Sequence, residues 1–177
     1  MSPEGFSTRL ATAQDLAAIV EIEAGPETTR YLGVTGRQFH ERALADPDQE
    51  QIVGDVGGVP VGFVVLAGIR DGNGQVELRR IVVSHRHRGA GYGRRLFRSA
   101  VSRAYRQHGA RQVWLDVKPD NVRGRALYAS EGFIQTGRIP DPMDPGGELL
   151  LLARIAQPLP TGASAATTAH DTSYGWD

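Results

Sequence analysis

Two hydrophobic periods run along this chain and divide it into strands and helices. Phe6 to Leu10 reads as a short opening strand. Thr12-Ala-Gln-Asp15 follows as a helix start, with Thr12 as the cap and Asp15 reaching back to it. Leu16, Ile19, Val20 and Glu23 recur behind it at helical spacing, and Gly25-Pro26 ends that helix. A second cap-like run, Thr35-Gly-Arg-Gln38, precedes Phe39 and Leu44 and predicts a helix to about Ala45, stopped by Asp46-Pro47-Asp48. Three strand-like stretches come next: Gln51 to Val56, Val61 to Ile69 and Val76 to Val83. Gly57-Gly58 and Asp71-Gly-Asn-Gly74 separate them as hairpin signals, so the three predict an antiparallel meander.

The period then switches. From Tyr92 to His108 the apolar positions are Leu96, Phe97, Ala100, Val101, Ala104 and Tyr105, while Arg94, Arg95, Arg98, Arg103 and Arg106 fill the other side. That is an amphipathic helix. Gly109 closes it, Gln112 to Val117 is a strand, and Asn121 to Ser130 a shorter helix. Gly132 stands where a left-handed cap belongs, with Phe133 placed to fold back onto the last turn. Glu148 to Arg154 is a final strand. Beyond Pro158 the residues are small and polar, which predicts disorder. The expected division is one domain over 1–156 and a tail over 157–177.

Composition narrows the field of functions. Of 177 residues 40% are hydrophobic, enough for one domain with a sizeable core. Lys+Arg and Asp+Glu total 20 each, so bulk charge favours neither nucleic acid nor an anionic membrane as partner. The absence of cysteine excludes disulfides, thiolate metal sites and a cysteine nucleophile. No apolar run reaches signal-peptide or membrane-span length, so a soluble, cytoplasmic protein is the expectation.

The chemistry-bearing signal is Arg88-Gly-Ala-Gly-Tyr-Gly93, between the strand ending at Val83 and the helix starting near Tyr92. Three alternating glycines let backbone N–H groups converge, and the helix start adds unpaired donors and a positive dipole end. Arg88, Arg94 and Arg95 can supplement that cradle for a pyrophosphate. A P-loop needs a lysine after its last glycine, where this chain has Arg94. The dinucleotide fingerprint would need a glycine at position 96, which is Leu96. A plain tight loop with solvated arginines is the remaining alternative.

The residues around this loop resemble the GNAT superfamily of N-acetyltransferases. The stretch from Glu77 to Leu96 is similar to the family's acetyl-CoA motif, with its R/Q-x-x-G-x-G/A core at Arg88, Gly91 and Gly93. Asn121-Val-Arg-Gly-Arg-Ala-Leu-Tyr128, followed by Glu131-Gly-Phe133, resembles the second motif. The resemblance is strong from about 76 to 137, looser from 6 to 75, and does not cover the tail. It implies an α/β (α+β) fold with a mixed, mostly antiparallel twisted sheet of about six or seven strands and about four flanking helices. Two parallel strands would splay into a V-shaped cleft, where pantetheine pairs with the open strand edge at Ile81, Val82 and Val83. The resemblance places the pyrophosphate on Arg88, Gly89, Ala90, Gly91, Tyr92, Gly93 and Arg94. It also assigns Asn121 to the pantetheine amides, although an ordinary N-cap role fits that residue equally.

An amine attacks a thioester only when neutral, and deprotonating a lysine-like amine at pH 7 costs roughly 4–5 kcal/mol. A general base is therefore expected. The family often carries a glutamate where this chain has Glu77, and strand alternation puts 77, 79, 81 and 83 on one side unless a bulge intervenes. The alternative for Glu77 is a structural ion pair with Arg79 or Arg80. The resemblance further implies Val83 N–H as the oxyanion donor and Tyr128 as the acid facing the leaving thiolate. Tyr128 could instead be an aromatic packed behind the coenzyme.

His85 and His87 read as solvent-facing, His40 and His108 as helix-surface residues, and Asp116 and Asp120 as too isolated to nominate. No metal is assigned. Asp141 and Asp144, between Gly137 and Gly147, would attract a cationic acceptor or simply solvate a turn. The expected activity is transfer of an acetyl group from acetyl-CoA to a primary amine: a small molecule, a peptide N-terminus or a lysine. The alternative is a non-catalytic acyl-CoA-binding or interaction module. Dimers are frequent in the family, so a homodimer is compatible with the resemblance.

Overall fold

A computed structural model describes residues 5–157. The polar stretch expected to be a disordered tail lies outside the described residues from 158 onward. Seven strands form one sheet: β1 (Phe6–Leu10), β2 (Gln49–Val56), β3 (Val59–Ala67), β4 (Gln75–Val83), β5 (Gln112–Val117), β6 (Ile134–Pro140) and β7 (Glu148–Ile155). Their order is β1-β2-β3-β4-β5-β7-β6, and every neighbouring pair is antiparallel except β4 and β5. Among the described residues there are five α-helices: α1 (Leu16–Glu23), α2 (Pro26–Tyr31), α3 (Arg37–Ala45), α4 (Tyr92–Arg106) and α5 (Val122–Ser130). Among the described residues no helix is long and apolar enough to cross a membrane.

The two faces of the sheet have separate cores. On one, Leu96, Phe97, Ala100, Val101 and Ala104 of α4 pack against Val64, Leu66, Val76, Leu78, Val113 and Leu115, with Tyr128 and Phe133 joining from α5 and its end. On the other, Ile19 and Ile22 of α1 pack against Val53, Phe63, Val65 and Val82. The 3.6-residue stripe read on α4 is the stripe that is buried.

Two elements lie outside the expectations. α2 has six residues, no apolar stripe, and Pro26 in its first turn. A proline there starts a helix as readily as it stops one, because its missing N–H would be unpaired anyway. β6 is an edge strand with almost every residue exposed, so it carries no alternation to read. Its register with β7 alone defines it.

The sheet has one irregularity that matters for the site. Val65 pairs with Arg80 but Leu66 with Leu78, which leaves Arg79 as an extra residue in β4. This bulge reverses the facing of the strand. Val76 and Leu78 point into the α4 core, whereas Arg80 joins Glu23 and Val82 joins the α1 core on the opposite face.

Candidate active site

β4 and β5 pair only at Gln75–Gln112, Val76–Val113 and Glu77–Trp114. Beyond those positions the strands continue unpaired, to Val83 and Val117, and a cleft of about 690 Å³ opens between them. Ser84 donates its N–H to Val61 O at 2.8 Å, on the β3 side. Strand alternation therefore turns the N–H and C=O of Val83 toward the open edge. Arg88 Nε reaches that carbonyl at 3.2 Å.

The glycine loop borders the same edge. Gly91 is the N-cap of α4 with φ 81° and ψ 2°, a left-handed conformation that a side chain resists. A Cβ built there meets nothing within 4 Å, so the space in front of the helix start is open. The first intrahelical bond runs from Arg95 N to Gly91 O, which leaves the N–H groups of Tyr92, Gly93 and Arg94 outside the helical ladder. Ile81, Val82, Val83, Arg88, Gly89, Gly91, Gly93, Arg94, Asn121 and Tyr128 all line the cleft, but Ala90 and Tyr92 do not. The Tyr92 ring stacks on Phe6 at 5.3 Å, and Arg95 lies over the same Phe6 ring at 4.6 Å. Arg94 is bound to Glu131 and to Ser130 Oγ, with Arg98 on the same carboxylate.

Asn121 caps α5, its Oδ1 accepting from Gly124 N at 2.9 Å. Its folded-back side chain leaves no room for a Cβ at position 124. Next to it Arg123 also lines the cleft, a residue not singled out from sequence. Burial lowers the Arg88 pKa and repulsion from Arg123 lowers it further, as expected where two guanidiniums share one place suited to an anion.

Tyr128 projects from α5, almost fully buried, with its ring 5.2 Å from Phe97. Burial, and secondarily the charge on Asp116, push its phenol up to about 12. Asp116 belongs to the opposite face of β5. Val113, Leu115 and Val117 face the α4 core, so Trp114 and Asp116 face the α1 side. Asp116 is exposed to the open cleft yet ringed by protein. Desolvation, then the carboxylates of Glu77 and Asp141, raise its pKa against a backbone hydrogen bond and Arg80. It was passed over in the sequence because none of these neighbours is near it along the chain.

Glu77 stands at the last paired position, where the V is closed. The bulge puts it on the face opposite Ile81 and Val83, its carboxylate accepts from Arg79 at 2.7 and 3.0 Å, and it does not line the cleft. Asp141 is not a solvated turn residue: it is buried and pairs with Lys118 at 3.3 Å. His40 and His108 are not helix-surface residues either. His40 is fully buried against Gln51, and His108 lies 3.0 Å from Glu50. Both face strand residues that helical spacing alone does not bring into view. His87 is half-buried and lines the cleft.

The cleft thus joins two differently furnished faces. The α4–α5 side offers backbone donors, guanidiniums and the Tyr128 phenol. The α2 side offers Thr28, Tyr31 and Leu32 as a wall of the same cleft that Asp116 lines.

Comparison with known proteins bears on the family and the fold. The family model for the acetyltransferase (GNAT) family matches residues 16–133, more than half of the chain. The N-alpha-acetyltransferase RimI of Mycobacterium tuberculosis is 33% identical over 97 residues, 54% of this chain and 59% of that protein. N-acetyltransferase 8B of Rattus norvegicus is 34% identical over 89 residues, 50% of this chain and 37% of that protein. The chain therefore spans less than two thirds of the length of either relative. A chimera of spermidine N-acetyltransferase SpeG from Vibrio cholerae and hSSAT superposes with a TM-score of 0.75 at 16% identity, over 86% of this chain and 96% of its own. The Escherichia coli ribosomal-protein-S18-alanine N-acetyltransferase gives 0.70 at 18% identity, over 90% and 99%. At such identities these structures establish the fold alone. By sequence and by fold, this chain belongs to the GNAT acetyltransferase family.

Proposed function

We propose that the chain transfers the acetyl group of acetyl-CoA to a primary amine by direct attack within a ternary complex. The carrying observation is the bifacial cleft: an open β4 edge at Val83, backbone donors on one side and one carboxylate, Asp116, on the other. Acetyl-CoA enters from the α4–α5 face with its pyrophosphate on residues 88–94 and its pantetheine along Ile81 to Val83, beside Asn121. The amine enters from the α2 face. Its ammonium loses a proton to Asp116, directly or through water, with desolvation and then the charges of Glu77 and Asp141 raising the proton affinity of Asp116. The neutral nitrogen then attacks the thioester carbonyl carbon. Val83 N–H stabilises the oxyanion of the tetrahedral adduct formed as the C–N bond is made. Collapse of that adduct re-forms the C=O and breaks the C–S bond, and the acylated nitrogen releases its second proton to solvent.

A phenol at about 12 facing a thiol near 8.5 makes complete proton transfer to the leaving sulfur uphill by about 5 kcal/mol. Tyr128 therefore acts as a hydrogen-bond donor to the departing thiolate, which takes its proton finally from water. The relatives named for polyamine and peptide N-terminal acceptors make both classes the first to try, together with free lysine.

The test is release of free thiol from acetyl-CoA across such an amine panel, for the wild type and Asp116→Asn. The expected result is amine-dependent release with an acidic limb in kcat/KM, lying above the usual carboxylate range because the Asp116 pKa is raised. In Asp116→Asn the rate falls by about 10²–10⁴-fold and the limb disappears. Stabilisation by acetyl-CoA without thiol release for any amine would instead identify a binding module that keeps the fold without the reaction.

A further inference from the structure

Among the described side chains of the α2 wall and the loop after it, residues 26–36, none belongs to either hydrophobic cluster. What holds the end of that segment is a buried ion pair. Arg80 donates to Leu32 O at 2.8 Å and to Gly33 O at 3.0 Å, and its third contact is Glu23 Oε1 at 2.9 Å. Glu23, fully buried, accepts from Thr35 N at 3.1 Å, Thr35 Oγ1 at 2.7 Å and Gly36 N at 3.0 Å. His40 Nε2 stands 3.4 Å from the same carboxylate. A loop with no regular structure of its own therefore hangs on one Glu–Arg pair, and Leu32 at its start lines the cleft.

Arg80 reaches this position only because of the bulge at Arg79. Unbroken alternation would keep it on the side of Val76 and Leu78, in the α4 core. It is also the residue immediately before Ile81, the first β4 residue to line the cleft. One side chain thus ties the acceptor wall to the strand that seats the thioester. Buried ion pairs are a weak source of stability compared with apolar packing, whereas their hydrogen bonds set geometry closely.

We propose that Glu23 and Arg80 are positioning residues for the acceptor, setting the distance between the α2 wall and the thioester without touching either reactant. This rests on the acetyltransferase reading above. The mildest test is Thr35→Val, which deletes one loop bond to Glu23 and leaves the ion pair intact. A second variant, Glu23→Leu with Arg80→Met, removes both charges together and so leaves no unpaired buried ion. Steady-state kinetics with the best amine from the panel should show a rise of about threefold in the acceptor KM for Thr35→Val and tenfold or more for the pair, by loss of neutral and charge-assisted bonds respectively. Acetyl-CoA affinity, read by calorimetry, should move less than twofold in both.

Acceptor KM unchanged in both variants, or acceptor and acetyl-CoA constants moving together, would overturn the positioning role while leaving the enzyme reading intact. Absence of thiol release with every amine in the wild type would remove the reading on which the inference rests.

Discussion

Gly91 and Tyr128 show how single positions carry this site. At Gly91 any side chain incurs the left-handed penalty of roughly 1–2 kcal/mol, although the space around it is open. Gly91→Ala and Gly91→Asp should therefore lose similar thermal stability. Only Gly91→Asp places a carboxylate against the proposed pyrophosphate, and its acetyl-CoA affinity should fall at least tenfold below that of Gly91→Ala in calorimetry. Equal affinities would take the loop out of the site. Tyr128→Phe keeps the ring against Phe97 and removes only the phenol hydroxyl. Turnover should fall by about 10-fold or more, the value of one hydrogen bond to a charged group, with acetyl-CoA affinity almost unchanged. Parallel losses in both would reduce Tyr128 to packing.

At the scale of elements, α5 combines a structural task with the proposed binding task at its first residues. Asn121 Oδ1 is committed to Gly124 N, which leaves the amide NH₂ to face the cleft. Serine caps helices about as well as asparagine but has no amide to offer. Asn121→Ser should keep the melting temperature within a degree or two while lowering acetyl-CoA affinity several-fold. Gly124→Ala should do both kinds of damage, because its Cβ would stand 2.8 Å from Asn121 Nδ2 and displace the cap, at about 1 kcal/mol of stability. The strand–loop–helix unit from β4 to α4 was legible in sequence because its signals are local: an apolar strand, alternating glycines and a stripe of Leu96, Phe97 and Ala100. α2 and β6 were not, since six residues without a stripe and an exposed edge strand carry no period.

At the scale of the whole molecule, buried carboxylates link stability to pH. Burial alone would raise the Glu23 carboxyl, but the His40 ring beside it, bonds from Thr35 and Gly36 and the charge of Arg80 overrule it and hold it at about 2. A folded-state value depressed from 4.5 contributes stability that is complete above 4.5 and lost as pH falls toward 2. The contribution is on the order of 3 kcal/mol. Asp15, lowered to about 2 chiefly by its hydrogen bond from Arg9, titrates in the same window. Chemical denaturation from pH 6 to pH 2 should show a steep loss of stability below about pH 4.5. In Glu23→Gln the protein should be less stable at pH 6, with a smaller loss on acidification. An unchanged acid slope would show that Glu23 is not ionised in the folded protein.

The chain's own order of residues was enough to declare the family fold, the glycine loop at 88–93 between strand and helix, and the helix from Asn121 to Tyr128, because each is a contiguous run whose pattern depends on near neighbours. Tertiary structure alone decided which acids face the cleft. One extra residue in β4 turned Arg80 toward Glu23 and set Glu77 apart from Ile81 and Val83. Asp116 gained its raised pKa from desolvation first, and then from Glu77 and Asp141, tens of positions away. Strand facing and electrostatic environment are sums over distant elements, and no local pattern encodes either.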